Sequence, residues 1–317
     1  VVEVAPLIQD QFLDDAPVLK PSKSHLGTSF TELSAEPVDS SESPEADPLK
    51  TALPKKESKP LELPKCSNGT LELESGTYEV TQQLEIPEAC NVSSNGATLL
   101  LSAPLLFSNT ARFQGKLSVK GLGSLEGPCF FFQEDAFIQS SAEMHFADCH
   151  HVAKDQEEEE EKEDDEEEEE EEEEEDAHGG AIYVGGNLTV IGNLSIHNCS
   201  AEYGGGIYVK QRLINYDGGE IQISGSSAEY GGGIYVYRNF ANSGGMIDIA
   251  GSSAEYGGGI FVQDNFNNTG GTIKISTSSA EKFGGGICVH NNFNNTGGNI
   301  KISTSSAEKF GGGICVH

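Results

Sequence analysis

Residues 226–245 read SSAEYGGGIYVYRNFANSGG and combine a glycine triplet with an alternating apolar run. Variants of the central word GGGIYV occur six times, as GGAIYV once and as GGGIYV, GGGIFV or GGGICV elsewhere. The words begin at Gly179, Gly204, Gly231, Gly257, Gly284 and Gly311, at spacings of 25, 27, 26, 27 and 27 residues. A fixed period in this range indicates stacked units, each too small to bury its apolar face alone.

The unit itself contains short strand candidates. IYVY at 234–237 and MIDI at 246–249 alternate in the period of two that strands require. Helical solenoids need two amphipathic helices per unit, and each interior glycine costs a helix about 1 kcal/mol relative to alanine. The repeats therefore predict an all-β chain that forms a parallel β-helix with coils of about 26–27 residues.

The strand period also predicts which side chains face inward. In the word at Gly231, Ile234 and Val236 share one face and Tyr235 takes the other. Stacking the units predicts an inward isoleucine column of Ile182, Ile207, Ile234, Ile260, Ile287 and Ile314. A second inward column is predicted from Ile221 and Ile223, Ile247 and Ile249, Ile273 and Ile275, and Ile300 and Ile302.

The glycine triplet differs from the known phosphate-binding loops. It matches neither GxGxxG nor GxxxxGK[ST], and it recurs in every unit. A catalytic loop is needed once, whereas a coil corner is needed in every coil, and glycine permits positive φ and close backbone approach. The six glycines Gly179, Gly204, Gly231, Gly257, Gly284 and Gly311 are therefore predicted to be structural coil corners.

One outward position is aromatic in four successive units. Tyr183, Tyr208, Tyr235 and Phe261 occupy it, and Cys288 and Cys315 follow. This column is either a partner-binding strip, because aromatic side chains dominate interface energetics, or a ladder of like neighbours that stabilises the sheet. The four aromatic residues are the candidate partner-binding ladder. Parallel side chains make poor disulfide geometry, so we expect stacked thiols at the two cysteines.

Charge is distributed unevenly along the 317 residues. The formal net charge is −32, and residues 157–176 contribute 19 acidic side chains and one lysine. The remainder is still acidic and its basic residues are scattered, so we expect no nucleic-acid partner. Residues 1–64 are rich in proline, serine and acidic residues, and we predict a disordered leader there, followed by the β-helix over 65–317.

The acidic run is predicted to interrupt the β-helix as a solvated loop over 154–177. Joining FADCHHVA (146–153) to AHGGAIYV (177–184) restores the pattern IHNCSAEYGGGIYV (196–209), which places the insertion at a coil corner. The density of like charge favours an extended, solvated segment. Binding of a cationic partner or weak binding of a divalent cation stays open for this loop.

No catalytic residue, cofactor site or metal ligand set is assigned. The seven cysteines show no CxxC or zinc spacing, their odd number leaves at least one outside intrachain disulfides, and no apolar run approaches the length of a membrane span. The asparagine-rich words such as NFANSGG are expected to form turn ladders. Four histidines flank the acidic run and are weak candidates for a metal or pH-sensitive site: His145, His150, His151 and His178.

Two resemblances extend these predictions. GTYEVTQQLEIPEACNVSSNGATLLL (76–101) resembles the opening of right-handed β-helix proteins of the pectin-lyase-like class. The GGAI and GGGI words resemble the passenger region of the chlamydial polymorphic outer-membrane proteins, which are autotransporters with GGA(I/L/V) and FxxN repeats. The likeness covers about residues 66–317, although a strict FxxN is absent. It implies a right-handed β-helix at the cell surface or outer membrane, or in secreted form.

The sequence leaves three functions open. The first is a surface-exposed, non-enzymatic adhesin or passenger segment that attaches to a protein or glycan of a host or partner, and we expect this one. The chain begins and stops without an export signal or a barrel, which fits a segment of a longer protein. The second is a polysaccharide lyase or hydrolase, for which the repeats offer Asp217, Asp248 and Asp264 at unmatched positions. The third is an intracellular acidic scaffold.

Overall fold

The computed structural model describes residues 61–153 and 178–316. The predicted leader lies outside the described residues except for 61–64, and so does the predicted acidic loop 154–177. Within the described residues every regular element is a β-strand.

Ten strands precede the acidic run. They are β1 (Thr70–Leu73), β2 (Gly76–Val80), β3 (Leu84–Ile86), β4 (Cys90–Leu101), β5 (Leu105–Phe107), β6 (Ala111–Gly121), β7 (Ser124–Leu125), β8 (Phe130–Phe132), β9 (Ala136–Ala147) and β10 (His150–His151).

Seventeen strands follow it. The first eight are β11 (Ile182–Val184), β12 (Leu188–Val190), β13 (Asn193–His197), β14 (Ile207–Val209), β15 (Arg212–Tyr216), β16 (Glu220–Ser224), β17 (Ile234–Val236) and β18 (Asn239–Ala250). The remaining nine are β19 (Ser253–Tyr256), β20 (Ile260–Val262), β21 (Asn265–Ser276), β22 (Ser279–Phe283), β23 (Ile287–Val289), β24 (Asn292–Asn295), β25 (Asn299–Ser303), β26 (Ser306–Ala307) and β27 (Ile314–Val316).

The strands form stacked parallel sheets. Sheet 1 has nine short strands, in the order β3-β5-β8-β11-β14-β17-β20-β23-β27, so each neighbour lies one coil further along the chain. Sheet 2 has thirteen strands. Some coils contribute one long strand to it, such as β18 or β21, and others contribute two shorter strands in its place. The short strands β15 and β16, for example, both pair with β18. Sheet 3 contains β19, β22 and β26, and β7 pairs with β10. The predicted right-handed parallel β-helix is confirmed.

The predicted inward columns form the core. Ile207 pairs in register with Ile234, and Ile234 with Ile260, and the same register continues to Ile287 and Ile314. These side chains are fully buried except at the last described coil, where Ile314 is 39% exposed. The earlier coils fill the interior with phenylalanine instead, and edge-on ring contacts such as Phe107–Phe113 at 5.6 Å interlock them.

The triplet at Gly231 makes a tight corner. Gly231 has φ of 65°, and the first glycine of each of the six words has φ between 64° and 70°. A Cβ on Gly232 would lie 2.3 Å from the carbonyl oxygen of Ser253 in the next coil. The corner therefore needs a left-handed backbone at its first residue and close contact between coils at its second.

The asparagine-rich turns form buried and exposed ladders. In the interior of the β-helix, Asn215 Nδ2 donates to Asn242 Oδ1 at 3.1 Å, and Asn242 Nδ2 donates to Asn268 Oδ1 at 2.9 Å. Within the described residues Asn215 Oδ1 accepts no hydrogen bond, because the aligned residue of the preceding coil is Val190. Each side-chain NH₂ group of this ladder thus donates a hydrogen bond to the side-chain oxygen of the asparagine in the next coil.

The residues that flank the acidic run keep the coil register. His150 pairs with Ser200 and His178 pairs with Tyr203 in the next coil. Two residues separate the corresponding positions in that coil, so both flanks of the run keep their places in the coil, and the corner position of the insertion stays a prediction. At the start of the described chain, Leu61, which lies within the predicted leader, forms an isolated parallel bridge with Tyr78.

Four of the seven cysteines form disulfides. Cys66 is bonded to Cys90 and Cys129 to Cys149, with Cα–Cα distances of 6.4 and 5.9 Å. Cys199, Cys288 and Cys315 are not disulfide-bonded. Such pairs are typical of proteins that fold in an oxidising compartment.

Candidate functional site

The candidate ladder stacks ring on ring along the outer face of sheet 1. Tyr183 and Tyr208 are 5.1 Å apart between ring centroids, as are Tyr208 and Tyr235, and both pairs are parallel within 3°. Phe261 continues the stack at 5.3 Å. Phe131 lies above Tyr183 at 4.4 Å, so the column begins one coil earlier than the sequence predicts.

A second aromatic column lies beside the first, and sequence reasoning missed it. Tyr203, Tyr230 and Tyr256 stack at 5.1 and 4.8 Å. Each stands immediately before a glycine triplet, and this repeated position was the available signal. The complete column consists of His178, Tyr203, Tyr230, Tyr256, Phe283 and Phe310.

The two columns meet edge to face. Tyr203 contacts Tyr235 at 5.5 Å with an interplanar angle of 87°, and Tyr230 contacts Phe261 at 5.4 Å and 82°. These are the favoured T-shaped arrangements of aromatic pairs. The columns together form a second apolar cluster outside the interior of the β-helix.

Burial changes what the candidate ladder presents to solvent. Tyr208 and Tyr235 are each 6% exposed and Phe261 is 5% exposed, because the second column covers them. Burial also raises the pKa of the Tyr208 and Tyr235 hydroxyls well above the usual range, so both stay neutral. A partner would therefore meet mainly the second column, and a binding role for the ladder residues stays a prediction.

The first column loses its rings after Phe261, and a groove lies there. Cys288 takes the place of the next ring in the register. The second column opens at the same level, where Tyr256 and Phe283 are 5.7 Å apart and tilted by 31°. The groove measures about 450 Å³ and is lined by Tyr230, Tyr256, Phe261, Gln263, Phe283 and His290.

A charged pair lies next to this groove. The Lys282 ammonium group lies 4.8 Å from the ring centroid of Tyr256 and forms an ion pair with Glu255. The hydrogen bond to Glu255 is the largest cause that raises the pKa of Lys282, so the lysine stays charged. The aromatic groove thus combines apolar walls with polar groups at its edge, as ligand-binding grooves commonly do.

A second groove of about 330 Å³ follows sheet 3. Its floor contains the buried side chains of Ala254 and Ala280, and Glu255 and Glu281 are among the residues of its wall. The repeated SSAE words produce this surface, since each of three successive coils contributes the second serine, the alanine and the glutamate of its word.

The aspartates considered for polysaccharide cleavage are not brought together. Asp248 lies 3.8 Å from Lys274 on sheet 2, whereas Asp264 follows β20 and accepts a hydrogen bond from Asn291 at 3.2 Å. Asp217 lies at another corner, against Gly244. Polysaccharide cleavage stays an alternative prediction, with turnover of polygalacturonate by the wild type and its Asp248→Ala variant as the assay.

The candidate histidines contact different partners. His145 lies 3.3 Å from Glu143, and His150 Nδ1 lies 2.9 Å from Ser200 Oγ. His151 Nδ1 donates to the His178 carbonyl at 3.0 Å, and burial lowers the pKa of His151 to about 4. In the part of the chain that the structure describes, no three His, Cys, Asp or Glu side chains are grouped to hold a metal ion.

Comparisons with known proteins give no relative. No family profile, no curated protein and no solved structure matches this chain. Over the described ranges no helix is long and apolar enough to span a membrane.

Proposed function

We propose that this chain is a surface-exposed, non-enzymatic adhesin or passenger segment of a secreted or autotransported outer-membrane protein. The observation that carries the proposal is the aromatic groove at the point where the first column loses its rings. In this proposal the groove is the contact surface for a protein or glycan of a host or partner cell.

The groove has the composition that favours binding. Tyr256 and Phe283 supply rigid apolar area, and Gln263 and His290 supply hydrogen-bonding groups. Aromatic side chains lose little conformational entropy on binding and are enriched among the residues that dominate interface energies. The strands below the groove are hydrogen-bonded on both sides, so the surface is organised before a partner arrives.

The proposed location rests on two supports. The GGAI and GGGI words resemble the passengers of the chlamydial polymorphic outer-membrane proteins, which are displayed at the cell surface. The disulfides Cys66–Cys90 and Cys129–Cys149 are consistent with an oxidising compartment.

The experiment measures attachment of chain-coated fluorescent beads to cultured host cells. We expect beads that carry the wild-type chain to attach, and Gln263→Ala with His290→Ala to lower attachment by about tenfold or more. The matched control combines Gln222→Ala with His197→Ala, which are exposed on sheet 2 away from the groove and should leave attachment unchanged. Absence of attachment by the wild-type beads at saturating density would contradict the proposal.

Pretreatment of the cells separates the two partner classes. Loss of attachment after protease treatment assigns a protein partner, and loss after glycosidase treatment with proteins intact assigns a glycan. If the control variant loses as much attachment as the groove variant, the groove is not the contact surface.

A further inference from the structure

Cys288 and Cys315 form a thiol pair on the outer face of sheet 1. They are paired in register on β23 and β27, where they continue the position of Phe261. Cys288 is fully buried and Cys315 is half-buried. Neither is disulfide-bonded, whereas the four cysteines of the earlier coils form two disulfides.

The register explains why these two thiols do not suit a disulfide. Neighbouring strands lie about 4.8 Å apart, and aligned side chains on parallel strands point in the same direction. A disulfide needs its sulfurs at about 2.05 Å and the two Cβ–S bonds twisted by about 90°. The parallel register holds the two thiols side by side, with a hydrogen bond between them, and does not favour the twist that a disulfide needs.

The same spacing suits a bridging cation. Two metal–sulfur bonds of about 2.3 Å placed in line span about 4.6 Å, which is close to the separation of neighbouring strands. Soft thiolate ligands select soft cations such as Cu⁺. A filled d-shell cation of this kind is satisfied by two thiolates in a linear arrangement.

We propose that Cys288 and Cys315 bind one soft monovalent cation, Cu⁺ or Ag⁺, as a linear bis-thiolate. The two S–H bonds break, two metal–sulfur bonds form and two protons leave to solvent, with no change of oxidation state. The half-buried Cys315 gives access from outside, and Phe261 closes the apolar side above Cys288. The two metal–sulfur bonds thereby link two neighbouring coils.

The probe is Ag⁺, titrated into the full chain in chloride-free buffer, with the bound ion counted by native mass spectrometry. We expect one tightly bound ion per chain, and we expect Cys288→Ser and Cys315→Ser each to lower the affinity at least 100-fold. The matched control is Cys199→Ser, which removes the third cysteine outside the disulfides and should retain the ion. Circular dichroism of each variant checks that the β-structure is kept.

X-ray absorption at the metal edge of the Cu⁺-loaded chain gives an independent readout. Two sulfur neighbours and no nitrogen or oxygen neighbour are expected. The proposal is overturned if the ion is retained in Cys315→Ser or lost in Cys199→Ser. It is also overturned if peptide mapping of the chain finds Cys288 and Cys315 joined in a disulfide.

Discussion

Each glycine of the triplet at 231–233 meets a different local constraint. Gly231 needs a left-handed backbone, and Gly232 approaches the backbone of the next coil too closely for a side chain. Gly233 would place a Cβ 2.7 Å from the Gly259 carbonyl oxygen. The position equivalent to Gly233 holds Ala181 in the first repeat, so the fold accommodates a methyl group there.

These differences predict an order of destabilisation. We expect Gly232→Ala to cost about 3 kcal/mol or more, because the new methyl group meets backbone that cannot move alone. Gly231→Ala should cost at least as much, because its left-handed backbone adds about 1–2 kcal/mol and its methyl group would lie 2.3 Å from the Ile234 carbonyl oxygen. Gly233→Ala should cost less than either, because the first repeat holds Ala181 at this position, although its methyl group still requires the Gly259 carbonyl to shift. Urea midpoints of the three variants test this order, and equal losses would contradict it.

His151 predicts a pH dependence. The unfolded chain binds a proton near pH 6.5, whereas the folded chain binds it only near pH 4 because the ring is buried. Stability from this group is therefore complete above about pH 6.5 and falls as the pH drops toward 4, by up to about 3 kcal/mol. Replacement His151→Gln should flatten the wild-type dependence of the melting temperature over that window. The exposed His197→Gln is the matched surface substitution, and its slope is measured beside that of His151→Gln.

At the scale of elements, the buried asparagine ladder ties successive turns together. Asn242 lies between Asn215 and Asn268 and is fully buried. Replacement Asn242→Ala leaves a buried donor on one side and a buried acceptor on the other, so we expect a loss of about 2–4 kcal/mol. Asn294→Ala removes one exposed contact, to Asn267, and should cost less than about 0.5 kcal/mol. Similar losses in both variants, measured by chemical denaturation, would show that the ladder adds nothing specific.

The aromatic columns predict a second element-scale effect. Tyr235 stacks between Tyr208 and Phe261, and the phenylalanine at 261 shows that the column accepts a ring without a hydroxyl. We expect Tyr235→Phe to change stability by less than about 1 kcal/mol and Tyr235→Ala to cost about 3–5 kcal/mol. Near-UV circular dichroism follows the stack, and thermal unfolding measures the loss. A costly Tyr235→Phe would instead indicate a hydroxyl contact.

The sequence predicted strands better than it predicted burial. The period of two correctly assigned Ile234 inward and Tyr235 outward, because both lie in a regular strand. It did not predict that Tyr235 is buried, since the covering ring of Tyr203 lies in an irregular segment without a period. The groove beside Phe261 depends on contacts between coils that no single repeat contains. The disulfide pairs likewise depend on positions within the coils, not on spacing.

At the scale of the whole molecule, the acidic run adds charge without altering the coil register. His150 and His178 occupy the positions of Ser200 and Tyr203, which are separated by two residues. Deletion of residues 152–176 restores that spacing and leaves 31 acidic and 17 basic residues, a formal charge of −14. We expect the shortened chain to keep its circular dichroism spectrum and to unfold within about 1 kcal/mol of the wild type, because a solenoid accepts length changes at loop positions. A collapse of the spectrum would show that the run is needed for folding.

The in-register pairing of like residues has a genetic consequence. Residues 264–290 and 291–317 are identical at 25 of 27 positions, and their strands pair isoleucine with isoleucine and asparagine with asparagine. Unequal recombination between two such segments would add or remove one whole turn and leave every remaining contact type unchanged. Gene variants should therefore differ in the length of the β-helix along its axis, in steps of about 4.8 Å, which is the advance of one coil. The surface that each turn displays should stay the same.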